Sequence, residues 1–125
     1  MSAFAILAAA TSASMTFICT PTDVERASLP YVVSFERKDD RLRHIWIIWP
    51  NGSQSRDNWK GEVSDDGFTF SRRGRGMSSH WLRLRLDASR PGWAHLSTTF
   101  VIPLLIDTDE AECAVRTVSD QRESA

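Results

Sequence analysis

The chain has 125 residues with 15 Lys+Arg against 16 Asp+Glu, a near-neutral balance and a length suited to one domain. At 42% hydrophobic and 25% charged it is not a disordered, collagenous, coiled-coil or polytopic membrane sequence. A chain of this size buries roughly two-thirds of its unfolded surface, so folding requires neither a metal nor a disulfide framework. Two biases stand out: 13 of the basic residues are Arg, leaving only Lys38 and Lys60, and there are five Trp.

From the N-terminus, residues 3–10 (Ala-Phe-Ala-Ile-Leu-Ala-Ala-Ala) form an uncharged apolar run, followed by Thr11-Ser12-Ala13-Ser14. That order matches the apolar and cleavage regions of a secretory signal peptide, with Thr11-Ser12-Ala13 as the small-x-small site. No basic residue precedes the run, and an upstream start would supply one. The competing reading is an Ala-rich helix docked on the domain, since Ala and Leu favour helices. The run is too short to span a bilayer, which takes about 20 apolar residues.

Between Tyr31 and Ile106 the spacing predicts an all-β fold with no helix-period segment. Tyr31, Val33 and Phe35 share one strand face, and the charged run Arg37–Arg41 turns the chain. Residues 44–49 (His-Ile-Trp-Ile-Ile-Trp) are apolar on both faces and read as a central strand covered on both sides, stopped by Pro50-Asn51-Gly52. Trp46 and Trp49, three apart, must face opposite sides. Residues 59–63 give a short strand, Asp66-Gly67 a hairpin turn, and residues 68–71 a return strand with Phe68 and Phe70 inward. From His80 to Asp87 the alternation is cleanest, with Leu82, Leu84 and Leu86 opposite Arg83, Arg85 and Asp87. Residues 89–92 turn the chain into the strand 93–100, and Pro103 marks a bulge or an edge in the run 101–106. The predicted arrangement is a single antiparallel meander of six to eight strands, curled into a half-barrel or small sandwich. Residues 1–13 stand as the signal-like or helical segment, 17–115 as the β-domain and 116–125 as a flexible polar tail.

Cys19 and Cys113, 94 positions apart, suit a disulfide tying the first strand to the last; two separate buried thiols in a cytoplasmic protein are the alternative. Neither lies in a C-x-x-C pair, so zinc and thioredoxin-like chemistry lack a motif. Together with Cys19 and Cys113, the Trp59-Lys60-Gly61 segment, the Asp65-Asp66-Gly67 turn, the alternating strand ending Leu86-Asp87 and the Gly92 turn make residues 19–115 resemble small exported bacterial β-proteins of unassigned function. The resemblance implies a β-fold with its first and last strands disulfide-linked and a periplasmic or secreted location. The chain departs from that pattern in the turn 87–92, where the group carries Asp-Arg-x-x-Gly, and at Glu112, where it carries Gly.

Chemistry concentrates in residues 71–92, with Arg72, Arg73, Arg75, Arg83, Arg85 and Arg90 against the lone acid Asp87. Guanidinium groups pair bidentately with anions and bases stack on Trp, so Arg72, Arg73, Arg75, Trp81, Arg83 and Arg85 form the candidate binding face. The bland reading is that these arginines solvate the sheet and pair with Asp107, Asp109, Glu110 and Glu112. His44, His80 and His95 share no metal-ligand spacing, and there is no nucleophile elbow or phosphate loop, so no metal, cofactor or catalytic residue is expected. Trp46, Trp49, Trp59, Trp81 and Trp93 either fill a barrel or line a cleft with arginines. The expected function is a non-catalytic exported module that binds a protein, envelope component or small ligand. A cytoplasmic nucleic-acid-binding or phage-type regulatory protein is the alternative, and a hydrolase pairing His80 or His95 with Asp87 the weakest reading.

Overall fold

The computed structural model describes residues 13–22, 29–56, 58–74, 78–103 and 105–119; the signal-like run, Arg75 and residues 120–125 lie outside them. Among the described residues the fold is all-β, with nine strands: β1 (Ala13–Pro21), β2 (Tyr31–Lys38), β3 (Arg41–Ile48), β4 (Gln54–Ser55), β5 (Lys60–Ser64), β6 (Gly67–Arg73), β7 (Ser79–Leu86), β8 (Trp93–Ile102) and β9 (Leu105–Ser119). They form one antiparallel sheet in the order β4-β3-β2-β1-β9-β8-β7-β6-β5. Two meanders thus join where the first strand pairs with the last. The sheet curls into a half-barrel that brings β3 against β5 through side chains. A Cβ added at Gly61 of β5 would lie 2.9 Å from Leu42 Cβ and 3.1 Å from Ile45 Cδ1 of β3.

Nine strands exceed the predicted six to eight. The two-residue β4 is too short to show a period, and the chain flanking each cysteine is full strand. Pairing with β1 carries β9 to Ser119, into the segment read as a tail.

Alternation sets the inner face. Phe17 and Cys19, Val33 and Phe35, Phe68 and Phe70, Leu82 and Leu84, Ala94 and Leu96, and Ala111 and Cys113 are all buried. At the centre, Phe17 stacks on Phe35 at 5.7 Å between ring centroids, and Phe35 meets Phe68 at 4.9 Å and Phe70 at 5.2 Å. Rings packed this way contribute about 0.5–1.5 kcal/mol per pair beyond the area they remove from water. Leu86, in phase with Leu82 and Leu84, lies at the strand end and is 42% exposed.

The segment 44–49 departs from the predicted central strand. It belongs to β3, second from an edge, and the register with β2 shifts between Ser34 and Glu36 so that His44 and Ile45 together face Phe35. His44 takes a φ of 54°, and this bulge puts both Leu42 and Ile45 on the core side. Trp46 and Trp49 do face opposite ways: the Arg56 guanidinium covers the outer Trp46 ring at 4.2 Å, while Trp49 packs against the core. Pro103 lies in the tight turn between Ile102 and Leu105, which are paired, so residues 101–106 are a hairpin rather than one irregular strand.

Cys19 and Cys113 oppose each other in register and are disulfide-bonded. In the chain-entropy model a cross-link closing so long a loop stabilises the fold by about 4–5 kcal/mol. Such a bond belongs to the chemistry of an oxidising compartment. No helix of the described residues is long and apolar enough to cross a membrane.

Candidate functional site

Toward one end of the half-barrel the inner face changes character. His80 is in phase with Leu82 and Leu84 on β7, Phe100 with Leu96 and Thr98 on β8, and Asp109 with Ala111 and Cys113 on β9. The other meander contributes Tyr31, the first residue of β2, and Trp49, just beyond β3. Together these residues border an open cleft of about 470 Å³.

Each lining group is held in place. Trp49 opens a turn in which Gly52 N–H donates to its carbonyl (2.8 Å) and its own N–H donates to Ser53 O (2.8 Å). Pro50 and Asn51 lie within that turn, and Gly52 supplies a φ of 87°, as the Pro-Asn-Gly signal predicts. Tyr31 Oη donates to Asp109 Oδ2 at 2.6 Å. Burial, reinforced by that carboxylate, pushes the Tyr31 phenol up to about 12, so it remains a neutral donor. The His80 ring stacks on Phe100 at 4.3 Å and lies 5.4 Å from Trp49, itself 6.0 Å from Tyr31. Burial, with Arg72 adding to it, lowers the His80 pKa, so the imidazole is neutral near pH 7. Its buried Nδ1 has no hydrogen-bond partner. Behind His80, Trp59 Nε1 donates to Ser55 Oγ at 3.0 Å, and Arg72 donates to the same hydroxyl while lying over the Trp59 ring.

The predicted arginine face divides by strand parity. Trp81, Arg83 and Arg85 project from the outer face of β7, with Arg73 near them on β6. Arg72, one residue before Arg73, turns to the inner side against Ser55 and Trp59. Arg85 pairs with Asp66 at 3.1 Å. On β9, Glu110 and Glu112 bond His95 instead of an arginine, at 3.4 and 2.9 Å. The intervening strand β8 separates Arg85 on β7 from Glu110 and Glu112 on β9, so these three groups take local partners and not one another. Asp87 Oδ1 accepts from both the backbone N–H and the hydroxyl of Ser89, closing the 87–93 turn. Seven residues along an extended strand separate it from His80 by roughly 20 Å, too far for the imagined His80–Asp87 pair.

Reading the histidines as isolated passes over His80. The signal was present in its phase with Leu82 and Leu84, which assigns it to the inner face. Its union with Tyr31, Trp49 and Asp109 depends on the curl of the sheet. Among the described residues no group of three or more His, Cys, Asp or Glu is placed to hold a metal ion.

No protein-family model, curated protein or solved structure matches the chain. Of the features expected from the sequence, the all-β class and the Cys19–Cys113 bond between first and last strands are present.

Proposed function

We propose that the chain is a small exported, non-catalytic binding module, periplasmic or secreted, whose ligand enters the cleft between Tyr31, Trp49, His80 and Phe100. The observation that carries this reading is the cleft itself: Tyr31, Trp49, His80 and Phe100 all border about 470 Å³ of open space. Small-ligand sites have this size and this mixture of apolar walls with a few fixed polar groups. The Tyr31–Asp109 bond and the restrained Trp49 turn give a preorganised wall. A screen of small soluble ligands by amide and indole NMR shifts tests it. Shifts confined to Tyr31, Trp49, His80, Phe100 and Asp109 are expected; binders that perturb only other surfaces would refute the cleft.

Export is read from the disulfide together with the signal-like run. Intact mass from the native host should show loss of about 13 residues, the length of the segment ending at the small-x-small site, and of two hydrogens. An intact N-terminus with two free thiols refutes it. Cleavage after Ala13 removes only the first residue of β1, which continues from Ser14 to Pro21.

A second reading keeps the outer face of β6 and β7, where Trp81 is 43% exposed beside Arg83 and close to Arg73. Such a surface suits an anionic envelope component or a nucleic acid. Salt-sensitive binding of single-stranded DNA, abolished in the Arg73→Ala/Arg83→Ala double variant, would favour the cytoplasmic nucleic-acid alternative over the cleft.

A further inference from the structure

The charge and chemistry of the cleft narrow its ligand class. The inference rests on the cleft being the binding site. Its walls carry two carboxylates, Asp107 and Asp109, and its other side chains include Tyr31, Trp49, Phe100 and the neutral His80. Arg72 is drawn back to Ser55 and Trp59 behind His80 and does not line the space. Asp109 is fixed by Tyr31 through Oδ2 and by the Glu110 N–H through Oδ1 at 3.0 Å, so its charge is anchored at one wall.

Ring faces attract a cation within about 6 Å of their centroids, and a carboxylate close by adds the complementary charge. Three aromatic side chains and the Asp109 carboxylate therefore favour a positively charged organic group over phosphate or carboxylate ligands. The rings meet at varied angles, 73° for Tyr31 with Trp49, 42° for Trp49 with His80 and 29° for His80 with Phe100, so together they do not form one flat platform. A single platform would suit a planar base or a sugar face; rings at varied angles suit a compact, roughly spherical head.

We infer that the cleft binds a small organic cation, with an alkylammonium or quaternary ammonium head among Tyr31, Trp49 and Phe100 and its charge facing Asp109. The probe is choline, set against 3,3-dimethyl-1-butanol, which has the same shape without the charge, and against glucose as a neutral sugar. Titrated into the disulfide-bonded chain and followed by the Trp49 indole and His80 ring signals, choline should saturate. The uncharged isostere should bind at least tenfold more weakly. Asp109→Asn, which keeps an acceptor for Tyr31, should weaken choline at least fivefold and leave the isostere unchanged, with thermal unfolding confirming the fold. If the isostere or glucose binds the cleft as tightly as choline, the cation assignment fails while the cleft remains the binding site. If choline, the isostere, glucose and the wider ligand screen all leave the cleft signals unmoved, both readings fail.

Discussion

Two clusters of aromatic rings occupy the same inner face of one sheet and serve opposite ends. In the middle, Phe17, Phe35, Phe68 and Phe70 are fully buried, with centroids 4.9–6.0 Å apart. At the open end, Tyr31, Trp49, His80 and Phe100 stand at similar spacings, 4.3–6.0 Å, but border the open cleft. The difference lies in the atoms around the rings. The central cluster is all phenylalanine and can be sealed without loss. The end cluster carries a hydroxyl, an indole N–H, an imidazole and a neighbouring carboxylate, which require partners and keep the site polar enough to meet solvent.

The comparison can be broken most forcefully at the cross-link. Replacing both Cys19 and Cys113 by Ser should cost about 4–5 kcal/mol, read as a lower urea midpoint. Because Tyr31 is the register partner of Cys19, the loss should also loosen the cleft wall, visible in Trp49 fluorescence before global unfolding. A destabilisation below about 1 kcal/mol would mean that the bond adds little to the native sheet.

Next come the two ring clusters themselves. Phe68→Ala should cost about 3–5 kcal/mol, as expected for a large ring removed from a packed core. Phe100→Ala, at a half-buried ring beside open space, should cost roughly 1–2 kcal/mol. Equal costs in urea titrations would show that the end cluster is structural filler and would remove the distinction.

The smallest effects concern protonation. His95, outside on β8, has its pKa raised, chiefly by its hydrogen bond to Glu112, whereas burial lowers that of His80. The signs then oppose. The His95 interaction stabilises the fold below the ordinary histidine value of about 6.5 and is lost as pH rises through the higher folded value. His80 does the reverse: its stabilising neutral form is fully present above about 6.5 and costs stability as pH falls toward its lower folded value. Ring-proton NMR should give a His95 midpoint above the His80 midpoint. The opposite order would place His80 in water, outside the cleft.

Much of this arrangement is legible in the chain. Phe68/Phe70 and Leu82/Leu84 announce their strands by strict alternation, and the places of Cys19 and Cys113 near the two ends suit the bond that the structure shows, though two separate thiols would have the same spacing. What escapes a linear reading is long-range. The bulge at His44 and Ile45 breaks the period that would connect Leu42 to the core. The Asp66-Gly67 signal places the hairpin, but the turn residues are Asp65 and Asp66; Gly67 opens β6, where an added Cβ would collide with the Leu84 carbonyl. The arginine cluster looks continuous along the chain, yet strand parity sends Arg72 inward and Arg73 outward. The cleft assembles from residues up to 78 positions apart, brought together only because the first strand pairs with the last.

That pairing also determines where the sheet ends. A half-barrel closed by side chains retains two hydrogen-bonding margins that could recruit a strand from another molecule. One margin is β4, only two residues long, and the other is β5, whose Lys60 and Glu62 are exposed. A short margin offers few free amides, and charges along the other penalise an incoming chain. The fold thus leaves its polar mouth accessible while discouraging strand-by-strand growth into fibrils, a property that matters for any protein working at high local concentration without ATP-driven chaperones.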